Sequence, residues 1–346
     1  MPAPRRLLGK SGGTVTSHEV AALAGVSRSA VSRTFTPDAS VSGKTRSKVL
    51  AAASQLGYQP NVIARSLITR QSRLIGLIMG EWENPFYTTM LRGFTEKLGA
   101  RDYRVMLLAS RAAADVDAAM RMLMQYRVDG IVLVSAAPGE GAANEFVRTG
   151  GRLVLVNREA GRLPAMGIVC DNPRVGRELA ERMLAAGHER FALVRGDPLL
   201  TSGQQRTEAF RAQIEASGRG RILVDRSGAL GYAAGRDFGN EMMALATRPD
   251  AIVCSTDITA IGVLDAVRLD RRVAVPGAVG VVGFGDIPAA QWASHELATV
   301  RLPIERMIDE SVDALLAEPA GSVARTIVVE ADLVWRGTLR QEKNTR

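Results

Sequence analysis

Two short apolar stripes at helical spacing stand near the start of the chain. The first covers residues 20–24, and Thr16 and Ser17 are both candidate N-caps of the helix that this stripe predicts. The second covers residues 30–35 and follows Ser27, another candidate N-cap. Gly25 lies between them and supplies the backbone freedom that a sharp turn requires. The pattern predicts two short helices joined by a turn, which is the arrangement of a helix-turn-helix.

The second predicted helix has two chemically different sides when its residues are placed at roughly 100° per step. One side is cationic and hydrogen-bonding, and it carries Arg28, Ser29, Ser32 and Arg33. The other side can pack on a small core, and it carries Ala30, Val31, Thr34 and Phe35. This division suits a helix that contacts bases and phosphates on one side. An ordinary amphipathic surface helix is the alternative interpretation.

A third helix is predicted from Ser42, as its N-cap, to about Leu56, and Gly57 ends it. Its expected inner face consists of Val49, Leu50, Ala53 and Leu56. A break at Pro60 precedes a short helical segment at residues 62–68. We therefore predict four parts: a flexible tail (1–13), a helix-turn-helix domain (14–60), a hinge helix with its linker (61–72) and a large core (73–346).

From residue 73 onward, apolar strands alternate with amphipathic helices. The strands are almost continuously apolar, which is typical of parallel sheets that are covered by helices on both faces. The alternation runs to about residue 170 and then restarts, so two doubly wound lobes are expected. Ligands of such folds bind at the carboxyl ends of the strands. The fold class predicted is an all-α helix-turn-helix head joined to an α/β, two-lobed core with parallel sheets.

The charge of the chain is concentrated at its beginning. Residues 1–73 contain eleven Lys and Arg against two acids, which gives them a net charge of +9. The net charge of all 346 residues is +8, so the other 273 residues carry a net charge of −1. A basic module on a nearly neutral body indicates a polyanionic partner for the module. Nucleic acid is favoured over a membrane surface, because the cations are interleaved with caps and turns and do not flank one apolar helix face.

Several other classes of protein are disfavoured by the sequence. No apolar run approaches the ~20 residues that cross a bilayer, and no apolar secretory segment follows the basic N-terminus. The two cysteines, Cys170 and Cys254, form no disulfide framework, so a cytoplasmic location is expected. The three histidines lack metal-ligand spacing, and the P-loop and dinucleotide motifs are incomplete. We expect neither catalysis nor a metal or cofactor.

An ordered series of short motifs runs through the whole chain. It includes Val41-Ser42, Leu56-Gly57-Tyr58-Gln59-Pro60-Asn61, Ala64-Arg65-Ser66-Leu67, Asn84-Pro85-Phe86-Tyr87, Val128-Asp129-Gly130-Ile131, Asp171-Asn172, Gly187-His188 and Val281-Val282-Gly283-Phe284. Each motif is weak alone, but their order is specific. From about residue 15 to residue 335 the sequence resembles the lactose-repressor (LacI/GalR-type) family of bacterial transcription regulators.

The resemblance implies which residues of the head contact double-stranded DNA. The positions that match the family's base-reading residues are Arg28, Ser29 and Arg33. The positions that match phosphate contacts are Ser27, Ser32, Ser42 and Thr45. Residues 61–68 resemble a hinge helix that enters the minor groove, with Asn61, Ala64 and Leu67 as its contact positions. Leu67 would be the apolar wedge, and two such helices would form stably only when paired on bent DNA.

The resemblance also implies a periplasmic-binding-protein-like core with an effector between two lobes. Lobe 1 would comprise about 73–170 and 303–331, and lobe 2 about 171–300 and 332–346. The effector-binding positions carried over are Phe86, Tyr87, Asn157, Arg158, Arg206, Asp257, Phe284 and Asp286. If Arg158, Arg195 and Arg206 face the cleft together, the effector carries a carboxylate or a phosphate. For Arg195, a place on the solvated surface is an equally good interpretation.

Four positions depart from the family's pattern. Thr36 stands where many relatives have Asn, and Ala30 where Thr is frequent; these two concern DNA contacts. Gly285 replaces the first Asp of a Gly-Phe-Asp-Asp run, and Leu302 replaces a common Gln before Pro303. The second pair concerns the identity of the effector and the coupling of the lobes.

The function expected from the resemblance is a homodimeric, DNA-binding transcription regulator, a repressor, whose affinity for a palindromic operator depends on a small effector such as a sugar or sugar acid. No heptad repeat follows Trp335, which favours a dimer over a tetramer. Whether the effector releases DNA or is required for DNA binding stays open. The alternative is a sugar receptor of periplasmic-binding-protein type that does not bind DNA.

Overall fold

The computed structural model describes residues 15–36, 39–59, 71–80, 83–110, 113–196, 201–317 and 324–341. The chain divides into two compact units, Met1–Ser72 and Arg73–Arg346. The predicted tail (1–13) and the hinge positions Asn61, Ala64 and Leu67 lie outside the described residues.

The first unit contains three helices, α1 (Ser17–Ala24), α2 (Arg28–Thr34) and α3 (Gly43–Leu56). Each begins at a hydroxyl side chain that accepts a backbone N–H: Thr16 from Glu19, Ser27 from Ala30, and Ser42 from Thr45. Thr16 and Glu19 form a complete capping box. Gly25 ends α1 in the left-handed region at φ 65°, which only glycine adopts without strain. Local sequence signals thus determine all three helix starts.

The small core of this unit is made of Val and Ala side chains. The buried residues are Val20, Ala21, Ala24, Val31, Val49, Ala52 and Ala53. The prediction that Leu50 lies on the inner face of α3 was wrong, because 46% of its surface is exposed. Val49, Ala52 and Ala53 fall at i, i+3 and i+4, whereas Leu50 is one step of about 100° away from that stripe.

The second unit alternates strands and helices along its length. Its strands are β1 (Leu74–Met79), β2 (Arg104–Ala109), β3 (Gly130–Val134), β4 (Arg152–Val156), β5 (Met166–Cys170), β6 (Arg190–Arg195), β7 (Arg221–Ser227), β8 (Ala251–Cys254), β9 (Gly280–Gly285), β10 (Ala298–Arg301), β11 (Arg325–Val329) and β12 (Asp332–Val334). Its α-helices are α4 (Pro85–Gly99), α5 (Ala113–Gln125), α6 (Glu140–Arg148), α7 (Asn172–Ala185), α8 (Thr201–Ser217), α9 (Tyr232–Ala244), α10 (Asp257–Asp265) and α11 (Ile304–Leu316). A π-helical turn (Ala266–Asp270) extends α10, and a 3-10 turn (Pro288–Gln291) follows β9.

The strands form two six-stranded sheets, ordered β11-β5-β4-β3-β1-β2 and β12-β10-β9-β8-β6-β7. All pairs are parallel except β10 with β12. Central strands such as β3 and β9 are buried at every residue, as strands covered on both faces must be. The predicted fold class, an all-α head with a two-lobed α/β core and parallel sheets, is confirmed.

The chain passes between the two sheets three times. It crosses after β5 at Asp171, after β10 at residues 302–303, and between β11 and β12 at residues 330–331. Three crossovers place a cleft between two sheets whose carboxyl ends face it. Within the described ranges, none of the helices combines the length and apolar character needed to span a membrane.

Candidate nucleic-acid interface and ligand cleft

Helix α2 presents a polar side to solvent and an apolar side to the small core. Ala30, Val31 and Thr34 are buried. The four exposed positions on the opposite side are Arg28, Ser29, Ser32 and Arg33. Two guanidinium groups and two hydroxyls therefore lie on one accessible face, and these are the side chains that hydrogen-bond to guanine edges and phosphates.

The hydroxyl candidates for phosphate contact sit mainly at helix starts. The Ser27 hydroxyl accepts the N–H of Ala30 at 3.2 Å and contacts the Ser29 hydroxyl at 2.9 Å. The Ser42 hydroxyl accepts the N–H of Thr45 at 3.2 Å and donates to the Thr45 hydroxyl at 2.9 Å. These caps fix the side chains in place at the protein surface.

Arg46 is a positioning residue that the sequence reasoning missed. Its Nη1 donates to the carbonyl of Thr34 at 3.1 Å, which ties α3 to the last turn of α2. The hydroxyl of Thr36, one of the departures from the family pattern, donates to the carbonyl of Ser32 at 2.9 Å. Both contacts stabilise the end of the helix that carries Arg33. No local sequence signal indicates this contact, because Arg46 lies in the first turn of α3, 12 residues after Thr34.

A cleft in the second unit lies at the carboxyl ends of strands from both sheets and has about 590 Å³ of open space, including its mouth to solvent. Its lining consists of Asn84, Phe86, Tyr87, Ser135, Asn157, Gly196, Ser202, Gly203, Arg206, Leu230, Ser255, Thr256, Phe284, Gly285 and Leu302. The mixture of aromatic and polar groups is typical of a small-molecule site.

Five of the eight predicted effector positions line this cleft: Phe86, Tyr87, Asn157, Arg206 and Phe284. Arg158, Asp257 and Asp286 are not among the lining residues. Sequence reasoning did not propose Ser135, Ser202 or Ser255. Ser135 and Ser255 each follow the last residue of a strand (β3 and β8), so applying the carboxyl-end rule to every strand would have found them.

The lobe 1 wall is built around two side chains with polar ends. Asn84 caps α4 by accepting the N–H of Phe86 at 3.0 Å, and this cap presents Phe86 and Tyr87 to the cleft. Asn157 donates its amide Nδ2 to the Ser135 hydroxyl at 3.1 Å. Both residues have positive φ, 62° for Asn157 and 56° for Ser135. The Asn157 Oδ1 is buried and has no protein partner among the described residues.

Arg206 is the central cation of the lobe 2 wall, and only 4% of its surface is exposed. Its Nε donates to the carbonyl of Ser202 at 3.1 Å and its Nη1 to the carbonyl of Ser255 at 3.4 Å. Its Cζ lies 4.6 Å from the centroid of the Phe284 ring. Burial lowers the pKa of Arg206 to about 10, so the guanidinium is still protonated near pH 7.

Asp257 occupies a different place from the one predicted. It is the first residue of α10 and 1% exposed. Oδ1 accepts the Thr299 hydroxyl at 2.5 Å, and Oδ2 accepts the N–H of Ile287 at 2.9 Å. Burial raises the pKa of Asp257 to about 7 against the opposing effect of these hydrogen bonds. The carboxyl thus joins α10 to β10 and to the loop after β9, behind the cleft surface.

The other predicted polar groups are also engaged in structural contacts. Asp286 accepts hydrogen bonds from Arg301 at 2.6 Å and Arg336 at 2.7 Å. Arg195 forms a 2.5 Å ion pair with Asp225 and donates to Gln204, outside the cleft lining. The backbone of Arg158 forms an isolated bridge with Ile168. Among the predicted arginines, Arg206 alone is described as lining the cleft.

The architecture is that of a helix-turn-helix protein with a two-sheet, ligand-cleft core of the periplasmic-binding-protein type. Comparison with known proteins agrees. Residues 16–61 match the family described as bacterial regulatory proteins, lacI family, and residues 72–317 match that of periplasmic binding proteins and the sugar binding domain of the LacI family. The chain belongs to the LacI family, and it is a DNA-binding transcriptional regulator.

Individual relatives are similar over most of their length. The ribose operon repressor of Escherichia coli (strain K12) is 29% identical over 306 residues, covering 87% of this chain and 92% of the relative. A structure of the CelR–cellobiose complex is 28% identical, with a TM-score of 0.68, and covers 94% and 99% of the two chains. A structure of the lac repressor dimer bound to operator and the anti-inducer ONPF shows the same fold, with 24% identity, a TM-score of 0.83 and coverage of 94% and 99%.

Proposed function

We propose that this protein is a homodimeric repressor whose affinity for a palindromic operator is set by a small molecule in the cleft. The observation that carries the proposal is that one chain combines the exposed polar face of α2 with a two-lobed cleft that contains the buried cation Arg206. The solved relatives include a dimer bound to operator and a complex with cellobiose, which support the two halves of the proposal. Because a repressor must reach its DNA, the proposal places the protein in the cytoplasm.

In the head, Arg28, Ser29 and Arg33 are the proposed base-reading residues. An arginine can bond to both O6 and N7 of a guanine, the commonest base-specific contact in the major groove. The proposed phosphate contacts, which set register without reading sequence, are Ser27, Ser32, Ser42 and Thr45. The exposure of these side chains supports both assignments, with Thr45 partly buried and the other six exposed.

In the core, the proposed effector contacts are Phe86, Tyr87, Asn157, Arg206 and Phe284. They lie on opposite walls of the cleft, so one ligand can contact both lobes at once. A further contact joins the lobes, because Gln205 Nε2 donates to Glu159 Oε1 at 2.8 Å. A ligand that contacts both walls favours the closed arrangement of the lobes over the open one.

Repression then depends on a shift between two states of the dimer. Closure around the ligand alters how the two first lobes meet, and this alters the operator affinity of the paired heads. A coupling free energy of roughly 1–3 kcal/mol changes operator affinity about 5- to 150-fold. By linkage, operator DNA changes effector affinity by the same factor, which gives the mechanism a second measurable consequence.

The experiment that tests this function selects operator sites from random duplexes with the full-length protein and then measures binding at two salt concentrations. We expect enrichment of a palindrome, with a stoichiometry of two chains per site, and affinity that falls steeply with salt. Addition of a cleft ligand should change operator affinity at least fivefold. A protein that binds a sugar but shows no preference for any duplex at modest ionic strength would instead be a receptor without a DNA target.

A further inference from the structure

Arg206 differs from the other largely buried arginines of the core. The side chains of Arg195, Arg211 and Arg336 are 17–26% exposed, and each forms an ion pair with an aspartate, Asp225 for the first two and Asp286 for the third. Arg206 is more deeply buried than these, yet no ion pair of Arg206 occurs in the described part of the chain. Its two hydrogen bonds go to backbone carbonyls.

No acid in the described part of the chain forms an ion pair with Arg206, although the charge of Asp257 acts on it from a distance. A buried charge is costly unless it is paired, and its hydrogen bonds use two of the five N–H donors of a guanidinium. Asp257, whose charge acts on Arg206, has both carboxyl oxygens occupied by Thr299 and Ile287. Among the described lining residues there is no Asp or Glu. The cleft therefore offers one positive charge and no described negative charge.

Gly285 contributes to this charge balance. It lines the cleft at the position where the LacI-family run has an aspartate, and its φ is +141°. An added Cβ would lie 3.2 Å from Asp257 Oδ2. A carboxylate at position 285 would thus crowd the buried Asp257, whereas glycine leaves Arg206 as the charged group of the wall.

Two residues that line the same cleft each have a buried polar atom without a described partner. Asn157 Oδ1 and the Ser255 hydroxyl are both without a protein partner among the described residues. Asn157 Oδ1 can accept a hydrogen bond, and the serine hydroxyl can donate or accept. Unsatisfied buried groups of this kind need partners, and ligand hydroxyls would supply them. Phe86, Leu230 and Leu302 add apolar surface to the lining.

We infer that the effector is a polyhydroxylated carboxylate, such as a sugar acid, whose carboxylate pairs with Arg206. This inference rests on the function proposed above. The carboxylate accepts two parallel N–H bonds from the guanidinium, and hydroxyls of the ligand satisfy Asn157 and Ser255. A carboxylate is favoured over a phosphate because Arg206 is the one described cation of the lining, whereas a phosphate monoester carries about −1.5 to −2 at pH 7.

The test compares matched ligands on the full-length wild-type protein. D-Glucuronate, D-galacturonate and D-gluconate are titrated calorimetrically beside D-glucose, D-galactose and their 6-phosphates. We expect one carboxylate to bind, with a Kd at least tenfold lower than those of its neutral parent and the 6-phosphate. The inference is overturned if a neutral sugar or a sugar phosphate binds at least as tightly as each of the three carboxylates. It is also overturned if none of the three carboxylates binds.

Variants then assign the preference to Arg206. Arg206→Gln should remove the difference between acid and neutral parent, and Arg206→Lys should retain part of it. Arg162→Gln, at an exposed position of lobe 1, is the charge control and should leave the preference intact. Ser255→Ala should weaken the binding of the acid and of its neutral parent equally. A preference for the acid that survives Arg206→Gln contradicts the assignment.

Operator binding is measured on the same preparations, so the two proposals fail separately. If a neutral sugar changes operator affinity, the regulatory function holds and the carboxylate assignment is wrong. If a carboxylate binds through Arg206 but no operator is found, the ligand assignment holds and the regulatory function is wrong.

Discussion

The guanidinium carbon of Arg206 lies 4.6 Å from the centre of the Phe284 ring, and Arg206 itself is almost fully buried. The face of an aromatic ring attracts a cation, and this attraction is stronger where water is excluded. Phe284 thus both shields the charge and holds the guanidinium in the cleft wall. It does so without supplying a negative charge, which leaves that charge for a ligand to neutralise.

We expect Phe284→Leu to weaken effector binding and to lower the free energy of unfolding by about 1–2 kcal/mol, since the apolar contact is largely kept while the ring face is lost. Phe86→Leu on the opposite wall is the matched control, because Phe86 faces Tyr87 edge-on at 5.2 Å and has no described guanidinium over its ring. Urea denaturation and calorimetric titration measure the two effects. If both variants lose the preference for the acid over the neutral sugar to the same extent, the ring that lies over Arg206 has no special role.

Asn157 combines an amide that faces the cleft with a backbone φ of 62°. The left-handed region costs most L-residues about 1–2 kcal/mol, while glycine adopts it freely. Asn157→Ala and Asn157→Gly both remove the amide, but only the alanine variant strains the backbone. We expect similar losses of effector affinity, with Asn157→Ala about 1 kcal/mol less stable than Asn157→Gly in urea titrations. If only the alanine variant binds poorly, backbone strain and not the amide explains the loss.

The buried carboxyl of Asp257 makes stability depend on pH. Its pKa of about 7 in the folded protein lies above the ~3.9 of an unfolded aspartate, so its contribution is fully present below about pH 4 and is lost as the pH rises through 7. Asp257→Asn cannot titrate. Relative to this variant, we expect the wild-type free energy of unfolding to fall by on the order of 2–4 kcal/mol between pH 4 and pH 8.

The control for Asp257 is Asp102→Asn, because the Asp102 side chain is 83% exposed. This variant should follow the wild-type pH profile in urea titrations. A wild-type profile that runs parallel to that of Asp257→Asn would mean that the carboxyl does not titrate in this range, and the burial argument would then be wrong.

The fold was predictable because its signals are local. Ser27 and Ser42 were identified as caps from the sequence, and each accepts the expected backbone N–H. For the first helix the sequence offered Thr16 and Ser17, and the structure places the cap at Thr16. The alternation of strands and helices likewise indicated two parallel sheets. The spacing of apolar residues and the residues that form turns are both read within a few positions of the sequence. Leu50 was misplaced because its exposure depends on which neighbours pack against α3, and this is a tertiary property.

The cleft was only partly predictable. Arg206 and Asp257 were both proposed as ligand contacts, but only Arg206 lines the cleft. Asp257 is held behind it by Thr299 and Ile287, which follow it in sequence by 42 and 30 residues. Arg195 likewise pairs with Asp225 on the neighbouring strand β7. Which partner a charged side chain takes depends on contacts between distant segments, and these contacts leave no local pattern in the sequence.

Arg33 and Lys44 allow base reading to be separated from general attraction to DNA. Both side chains are exposed in the head, Arg33 on the polar face of α2 and Lys44 near the start of α3. Loss of a bidentate arginine–guanine contact costs about 1–3 kcal/mol at the base concerned but little at other sequences. Arg33→Ala should therefore reduce discrimination between the operator and its single-base variants by about 5- to 150-fold.

Lys44→Ala should instead weaken binding to all duplexes about equally. It should also reduce the slope of log Kd against log salt concentration by about 1, the contribution of one phosphate contact. Both variants are titrated against the operator, a set of single-base variants and an unrelated duplex at several salt concentrations. The exposed positions mean that neither substitution should unfold the head, which circular dichroism verifies. If Arg33→Ala weakens binding to every duplex to the same extent, as is expected for Lys44→Ala, α2 contacts only the DNA backbone. Another part of the chain must then read the operator.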